Sequence, residues 1–217
     1  MSTTLRVSEI FDSIQGESHW AGYPCTFLRL AGCNLDCVWC DTRFARDPRA
    51  GAEWNVEVLA AEARNRALPT VEVTGGEPLL QPAAPELLAA LLAGGQRVLL
   101  ETNGSLPLDA VPAGVHIVMD LKPPGSGMAE HNRWANLGRL RPGDEVKIVC
   151  RDRADYAWAR GVIGEYCLLR RTRVSLSAVA GELEAQELAA WLLEDRLDVR
   201  LQLQLHKVLW PEQERGV

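Results

Sequence analysis

No apolar run in this sequence approaches the roughly 20 residues that a membrane-spanning helix requires. The opening residues, Met1 to Val7, lack the basic stretch and apolar core of a signal peptide. The expected compartment is therefore the cytoplasm, where disulfides are uncommon. There is no surplus of positive charge: 23 Lys and Arg against 29 Asp and Glu leave a net charge of −6. Neither nucleic acid nor an anionic membrane surface is expected as a partner, and a small molecule is. Internal repeats, low-complexity tracts and linkers are missing too, so residues 1–217 are expected to form a single domain. With 47% hydrophobic and 24% charged residues, the composition excludes a disordered chain, a collagen-like repeat and a small disulfide-stapled scaffold.

What is present is an alternation of short apolar strands and amphipathic helices. Strands are expected at 7–11, 25–31, 70–74, 97–101, 116–121, 146–150, 173–177 and 200–206. Several are nearly continuous β-branched or leucine runs bounded by Gly or Pro, the pattern of strands covered on both faces of a parallel sheet. Helices are expected at 56–66, 85–92, 154–163 and 183–193, the last with Leu188, Trp191 and Leu192 on one stripe. Repeated βαβ units imply right-handed crossovers and an α/β class. The connections 104–114 and 123–143 are rich in Pro and Gly and read poorly as helices. A full eight-fold barrel usually takes about 250 residues, so a partial, TIM-like (β/α)6 barrel of roughly six strands with reduced helices is expected.

Six cysteines in a reducing compartment need an explanation other than disulfides. Cys33, Cys37 and Cys40 lie within Gly32-Cys33-Asn34-Leu35-Asp36-Cys37-Val38-Trp39-Cys40-Asp41-Thr42, directly after a predicted strand. Loops at strand C-termini are where barrels place their chemistry. A four-iron cluster normally takes four cysteines, so three leave one iron open to a small molecule. A structural zinc site is the alternative, but it usually has four protein ligands. Cys25 is a candidate fourth ligand, although within Tyr23-Pro24-Cys25-Thr26-Phe27-Leu28 it also reads as an ordinary buried thiol. Cys150 and Cys167 are expected to be buried thiols.

The Cys-x3-Cys-x2-Cys spacing with an aromatic before the last cysteine resembles the signature of the radical S-adenosylmethionine superfamily. Thr74-Gly75-Gly76-Glu77-Pro78, at the end of the next long strand, is similar to that superfamily's Gly-Gly-Glu-Pro segment. Glycines there let backbone approach a ligand closely. Within the superfamily, four stretches resemble the 7-carboxy-7-deazaguanine synthases. They are Glu9 to Ser18, Gly22 to Leu30, Cys40-Asp41-Thr42 and Gln204-Leu205-His206-Lys207-Val208-Leu209-Trp210. An activating enzyme that places a radical on a partner protein is the alternative within the superfamily. The resemblance implies a radical SAM core, conversion of 6-carboxy-5,6,7,8-tetrahydropterin to 7-carboxy-7-deazaguanine with release of ammonia, and a place in queuosine biosynthesis. It further implies a homodimer and an electron donor such as flavodoxin or ferredoxin.

By the same resemblance, Cys33, Cys37 and Cys40 bind a [4Fe-4S] cluster that reduces S-adenosylmethionine. Thr42 ligates Mg2+. Substrate falls to Ile14, Gln15, Gly16, Glu17, Arg29, Thr74 and His206, with Arg29 gripping the carboxylate. S-adenosylmethionine falls to Trp39, Asp41, Gly76, Glu77, Asp120, Lys122, Ser177 and Val179. Two loops depart from the family pattern, with Pro where many relatives have Cys in Lys122-Pro123-Pro124-Gly125-Ser126-Gly127, and Ala178 where many have Pro. His206 is expected at the end of the last strand. In the family the tail beyond it folds over the substrate with its terminal carboxylate contributing; here the tail 210–217 is longer and more polar than some relatives', which leaves open whether the Val217 carboxylate takes that part. Glu101-Thr102-Asn103-Gly104 is shared with the family as well, but Asn-Gly at a strand end is also a simple turn.

Overall fold

The structure, a computed structural model, describes residues 3–217. Nine strands form one sheet: β1 (Thr4–Ile14), β2 (Pro24–Leu30), β3 (Ala52–Asn55), β4 (Thr70–Gly75), β5 (Arg97–Thr102), β6 (His116–Asp120), β7 (Glu145–Cys150), β8 (Arg173–Ala178) and β9 (Arg200–Leu201). Their spatial order is β3-β1-β2-β4-β5-β6-β7-β8-β9. From β2 onward every neighbouring pair is parallel, while β1 pairs antiparallel with both β2 and β3. The result is six full parallel strands with a two-residue edge strand β9, an open α/β sheet of the partial-barrel kind.

Four helices cover one face: α1 (Val56–Asn65), α2 (Ala84–Ala93), α3 (Arg153–Glu165) and α4 (Ala185–Asp195). Local chemistry sets two of their starts. The Asn55 side chain accepts from the Glu57 and Val58 amides at the head of α1, and Asp152 accepts from Asp155 at the head of α3. Two apolar layers result. Leu28, Leu30, Val71, Val73, Val98 and Leu100 pack against Leu59, Leu87, Leu88 and Leu91. Met119, Val146, Ile148, Val174 and Leu176 pack against Tyr156, Ala159, Ile163 and Leu188. Each fully buried Leu, Ile or Val contributes about 1.5–3 kcal/mol of transfer free energy.

Side chains on a strand alternate between faces, so the residues between these outward apolar positions point into the concave side. They are largely polar: Glu72, Thr74, Asp120, Lys147, Ser175 and Ser177 are buried, and Arg29 and Glu101 are half-buried. The connection 104–114 has no helix, and 123–143 has only 3-10 turns, at Pro124–Ser126, Ala129–His131 and Trp134–Gly138. The expected strand at 200–206 is corrected. Only Arg200–Leu201 is strand, the Gln202 amide still donating to the Leu176 carbonyl of β8; the chain then turns into a short helix, α5 (Leu205–Leu209), as the Gln202 side chain and the Leu205 amide both bond the Gly16 carbonyl. Among the described residues no helix is long and apolar enough to cross a membrane.

Candidate active site

A cavity of about 430 Å³ occupies the concave side of the sheet. Its upper wall is the loop that follows β2. Gly32, at φ +93°, turns the chain out of the strand, and backbone bonds from Gly32 to Ala45 (2.8 Å) and from Cys33 to Arg46 (3.2 Å) fold the loop back. Cys33, Cys37 and Cys40 all line the cavity, and all three are free thiols. Burial pushes the Cys33 and Cys37 thiols up; the Lys122 ammonium opposes this at both. No fourth cysteine lines the cavity among the described residues. Cys25 is buried in a small cluster with Phe11 and Phe27, Cys150 lies in an apolar layer, and Cys167 is exposed. That exposure corrects the expected burial of Cys167, which sits in a left-handed turn after α3 with its side chain outside the apolar layer.

Gly75 and Gly76 end β4 directly beneath this loop. A Cβ on Gly76 would sit 2.2 Å from the Gly32 oxygen and 2.8 Å from the Cys33 Cβ. The glycine therefore exists so that two backbones can touch next to the thiols. Glu77 does not reach the cavity surface. It is fully buried, and its carboxylate accepts from the Leu79 and Asn103 amides and from the Thr102 hydroxyl. The side chain thus makes Glu77 the clasp between the ends of β4 and β5, which leaves only its backbone for a cofactor. Ser177 likewise lies beneath the lining residues, with its Oγ buried and unpartnered.

The floor is the turn after β1. Ile14, Gln15, Gly16 and Glu17 line the cavity, and α5 closes over them. Gly16 packs so tightly that a Cβ would lie 3.0 Å from His206 Nδ1. Gln204 Nε2 donates to Glu17 Oε1 at 3.2 Å, and His206 stands 3.8 Å from both Glu17 and Asp41. Gln213, Glu214 and Val217 also line the cavity, so the long tail returns to the site.

Lys147 is a lining residue that the sequence did not announce. Its ammonium is nearly fully buried and meets Glu101 directly, Glu17 at 3.0 Å and Asp120 at 3.7 Å. Burial opposes the charge, but these three carboxylates hold Lys147 well above its ordinary value. In turn, against the effect of burial, the Lys147 charge and the Thr74 hydroxyl bring Glu101 down to about 2. Glu72 was missed as well. The available signal was a polar residue at alternate positions of an otherwise apolar strand, in Thr70-Val71-Glu72-Val73-Thr74 and Val146-Lys147-Ile148.

The remaining expected residues converge here too. Arg29, Thr42, Thr74, Trp39, Asp41, Asp120, Lys122, Val179 and His206 all line the same cavity. Three thiols with no fourth suit a cluster that keeps one iron open and not a closed zinc site. Asp120 Oδ1 is buried without a partner, an acceptor suited to the hydroxyls of a nucleoside. The residues present therefore fit both an iron–sulfur cluster and a sulfonium nucleoside.

Comparison with known proteins gives the class first. Residues 28–122 match the Radical SAM superfamily, a class that works with a 4Fe-4S cluster and S-adenosylmethionine. The fold resembles that of QueE from Escherichia coli, with a TM-score of 0.75 over 93% of this chain and 94% of that one, at 20% identity. Across nearly the whole length the chain is 47% identical to a 7-carboxy-7-deazaguanine synthase from Chlorobaculum tepidum, covering 98% of this chain and 97% of the relative. It is 40% identical to one from Koribacter versatilis, covering 98% and 100%. The chain belongs to the 7-carboxy-7-deazaguanine synthase family.

Proposed function

We infer that the chain catalyses the radical-mediated ring contraction of 6-carboxy-5,6,7,8-tetrahydropterin to 7-carboxy-7-deazaguanine, with release of ammonia. The observation that carries this is the meeting of the three thiols and the 14–17 turn in one cavity, in a chain whose family likeness spans its length. An activating enzyme has a protein substrate, and a cavity floored by the chain's own turn and covered by its own tail does not favour one.

Cys33, Cys37 and Cys40 would hold the cluster, with Gly76, Trp39, Asp41, Asp120, Lys122 and Val179 around S-adenosylmethionine. Glu77 and Ser177 support that wall from beneath. When bound, the two cofactors supply the electron and the hydrogen-abstracting chemistry; the protein binds, orients and excludes water. Arg29 takes the substrate carboxylate. Its Nε is held by Glu9 at 2.7 Å while the residue lines the cavity, which leaves the two terminal nitrogens of the guanidinium for the substrate. Ile14, Gln15, Gly16, Glu17, Thr74 and His206 surround the ring. Lys147 and Glu101 keep the floor charged yet internally paired, so that polar substrate groups meet fixed partners and not bulk water.

Thr42 would ligate Mg2+, an ion that commonly keeps several waters and takes other ligands from substrate. Thr42 lies beside Asp41 on the cavity wall, which supports that role. The chain acts as one domain, as the strands that carry the cofactor and substrate residues all belong to a single sheet. A homodimer, a flavodoxin- or ferredoxin-type electron donor and a cytoplasmic setting complete the reading by resemblance. Anaerobic incubation of reconstituted protein with substrate, reductant and S-adenosylmethionine tests it. The expected product is 7-carboxy-7-deazaguanine by mass; cofactor cleavage without it overturns the reading. Turnover unchanged by magnesium chelation removes Thr42 as a ligand.

A further inference from the structure

Glu72 lies in the middle of β4, 1% exposed, and its register partners, Phe27 on β2 and Leu99 on β5, are apolar. A carboxyl group in such a place is expensive unless it has a specific partner. Its partner is distant in sequence: Gln15 Nε2 donates to Glu72 Oε2 at 2.9 Å. The other end of the same amide is fully committed, since Gln15 Oε1 accepts from the Glu17 and Ser18 amides, both at 2.9 Å. Those two donors fix which end of the amide is oxygen. The nitrogen must then face Glu72, and Glu72 must present an acceptor to it.

We propose, on the reading of residues 14–17 as the substrate-binding segment, that Glu72 is a positioning residue for substrate. Its carboxyl group orients the Gln15 amide, and that amide holds the 15–18 turn in the shape that presents Gly16 and Glu17 to the cavity. Neither function requires Glu72 to be charged. Burial and the neighbouring Glu101 carboxylate push Glu72 well above the ordinary range, toward a neutral acid with one oxygen for Gln15 and one proton for Glu101. Glutamine is the near-isostere of that state, and aspartate is not, being one methylene too short to reach Gln15.

Dissociation constants for 6-carboxy-5,6,7,8-tetrahydropterin and for S-adenosylmethionine are to be measured separately on anaerobically reconstituted Glu72→Leu, Glu72→Asp, Glu72→Gln and Gln15→Leu proteins. Glu72→Leu, Glu72→Asp and Gln15→Leu should each weaken the pterin about tenfold or more, the size of a lost buried hydrogen bond. S-adenosylmethionine affinity should not change. Glu72→Gln should recover most of what Glu72→Leu loses, and the double variant Gln15→Leu/Glu72→Leu should be no weaker than either single one. Unchanged pterin affinity in Glu72→Asp and Glu72→Leu, with Gln15→Leu weakened, overturns the role of Glu72 and leaves the 14–17 segment standing. Unchanged affinity in Gln15→Leu overturns the segment itself. Equal loss of both ligands in Glu72→Leu and Glu72→Gln makes Glu72 merely structural. Where Glu72→Leu does not fold, the order of Glu72→Gln over Glu72→Asp decides.

Discussion

Glu9 and Arg29 are register partners on adjoining antiparallel strands, and Glu9 Oε1 accepts from Arg29 Nε at 2.7 Å. The guanidinium also lies 5.4 Å from the ring centre of Phe11 and 6.0 Å from that of Phe44. The side chain that is to grip a carboxylate is thus already locked before any ligand arrives. Replacing Arg29 by Ala should raise KM for the pterin roughly tenfold to a hundredfold, the range for a hydrogen bond to a charged group. Cleavage of S-adenosylmethionine without turnover should remain measurable. Glu9→Ala should raise KM less, because it loosens the arginine without removing it.

Loss of any one of Cys33, Cys37 or Cys40 should abolish turnover through loss of the cluster. Iron and acid-labile sulfide content after anaerobic reconstitution check this. A fully loaded, active Cys37→Ala protein would refute the ligand assignment.

Gly76→Ala forces a methyl group to 2.2 Å from the Gly32 oxygen, a backbone atom that cannot swing aside. The cysteine loop must move away from β4. Lower cluster loading is expected even though no ligand has been changed, and iron content per chain measures it.

Lys147→Met leaves Glu17, Glu101 and Asp120 facing one another without their shared cation. Removing one partner of a buried pair costs about 3 kcal/mol or more. For a chain of this size that corresponds to a fall in Tm of about 6–12 °C, which thermal unfolding would detect.

Glu72 makes a pH prediction whose sign is opposite to the usual carboxylate case. Its folded value lies well above the ordinary 4.5, so between the two the folded state binds more protons than the unfolded one. This contribution to stability is present below 4.5 and is lost as pH rises through the folded value. Glu72→Gln has no such proton, and its stability relative to the parent should climb as pH rises from about 5. Glu101, brought down to about 2, works in the other window: its contribution is present above 4.5 and lost as pH falls toward 2. Urea midpoints at a series of pH values separate the two; a difference that does not grow with pH removes the neutral acid.

Seven of the strands, the missing helices and the cysteine loop were legible because each depends on neighbours a few residues apart; the short edge strand β3 was not. The helical stripe at Leu188, Trp191 and Leu192 is local, and α4 forms there. His206 was misplaced because the Leu-rich run around it reads as a strand, while a distant contact, Gln202 to Gly16, bends it away. Glu77 was legible as part of a motif, but the partners of its side chain were not. It faces Thr102 and Asn103 across a parallel neighbour strand, not the ligand side.

Read by itself, the amino-acid order settled the thiol spacing, the paired glycines and the Gln-Gly-Glu turn, because a loop of ten residues carries its own geometry. Folding decided the rest: which of the polar side chains buried on separate strands share one interior. Strand alternation tells that Glu72, Glu101, Asp120 and Lys147 turn inward, but only the register of β4 through β7 and the curvature of the sheet bring them together. Opposite charges placed within a few ångströms in a dry interior shift one another's protonation strongly, and no property of any one strand contains that distance.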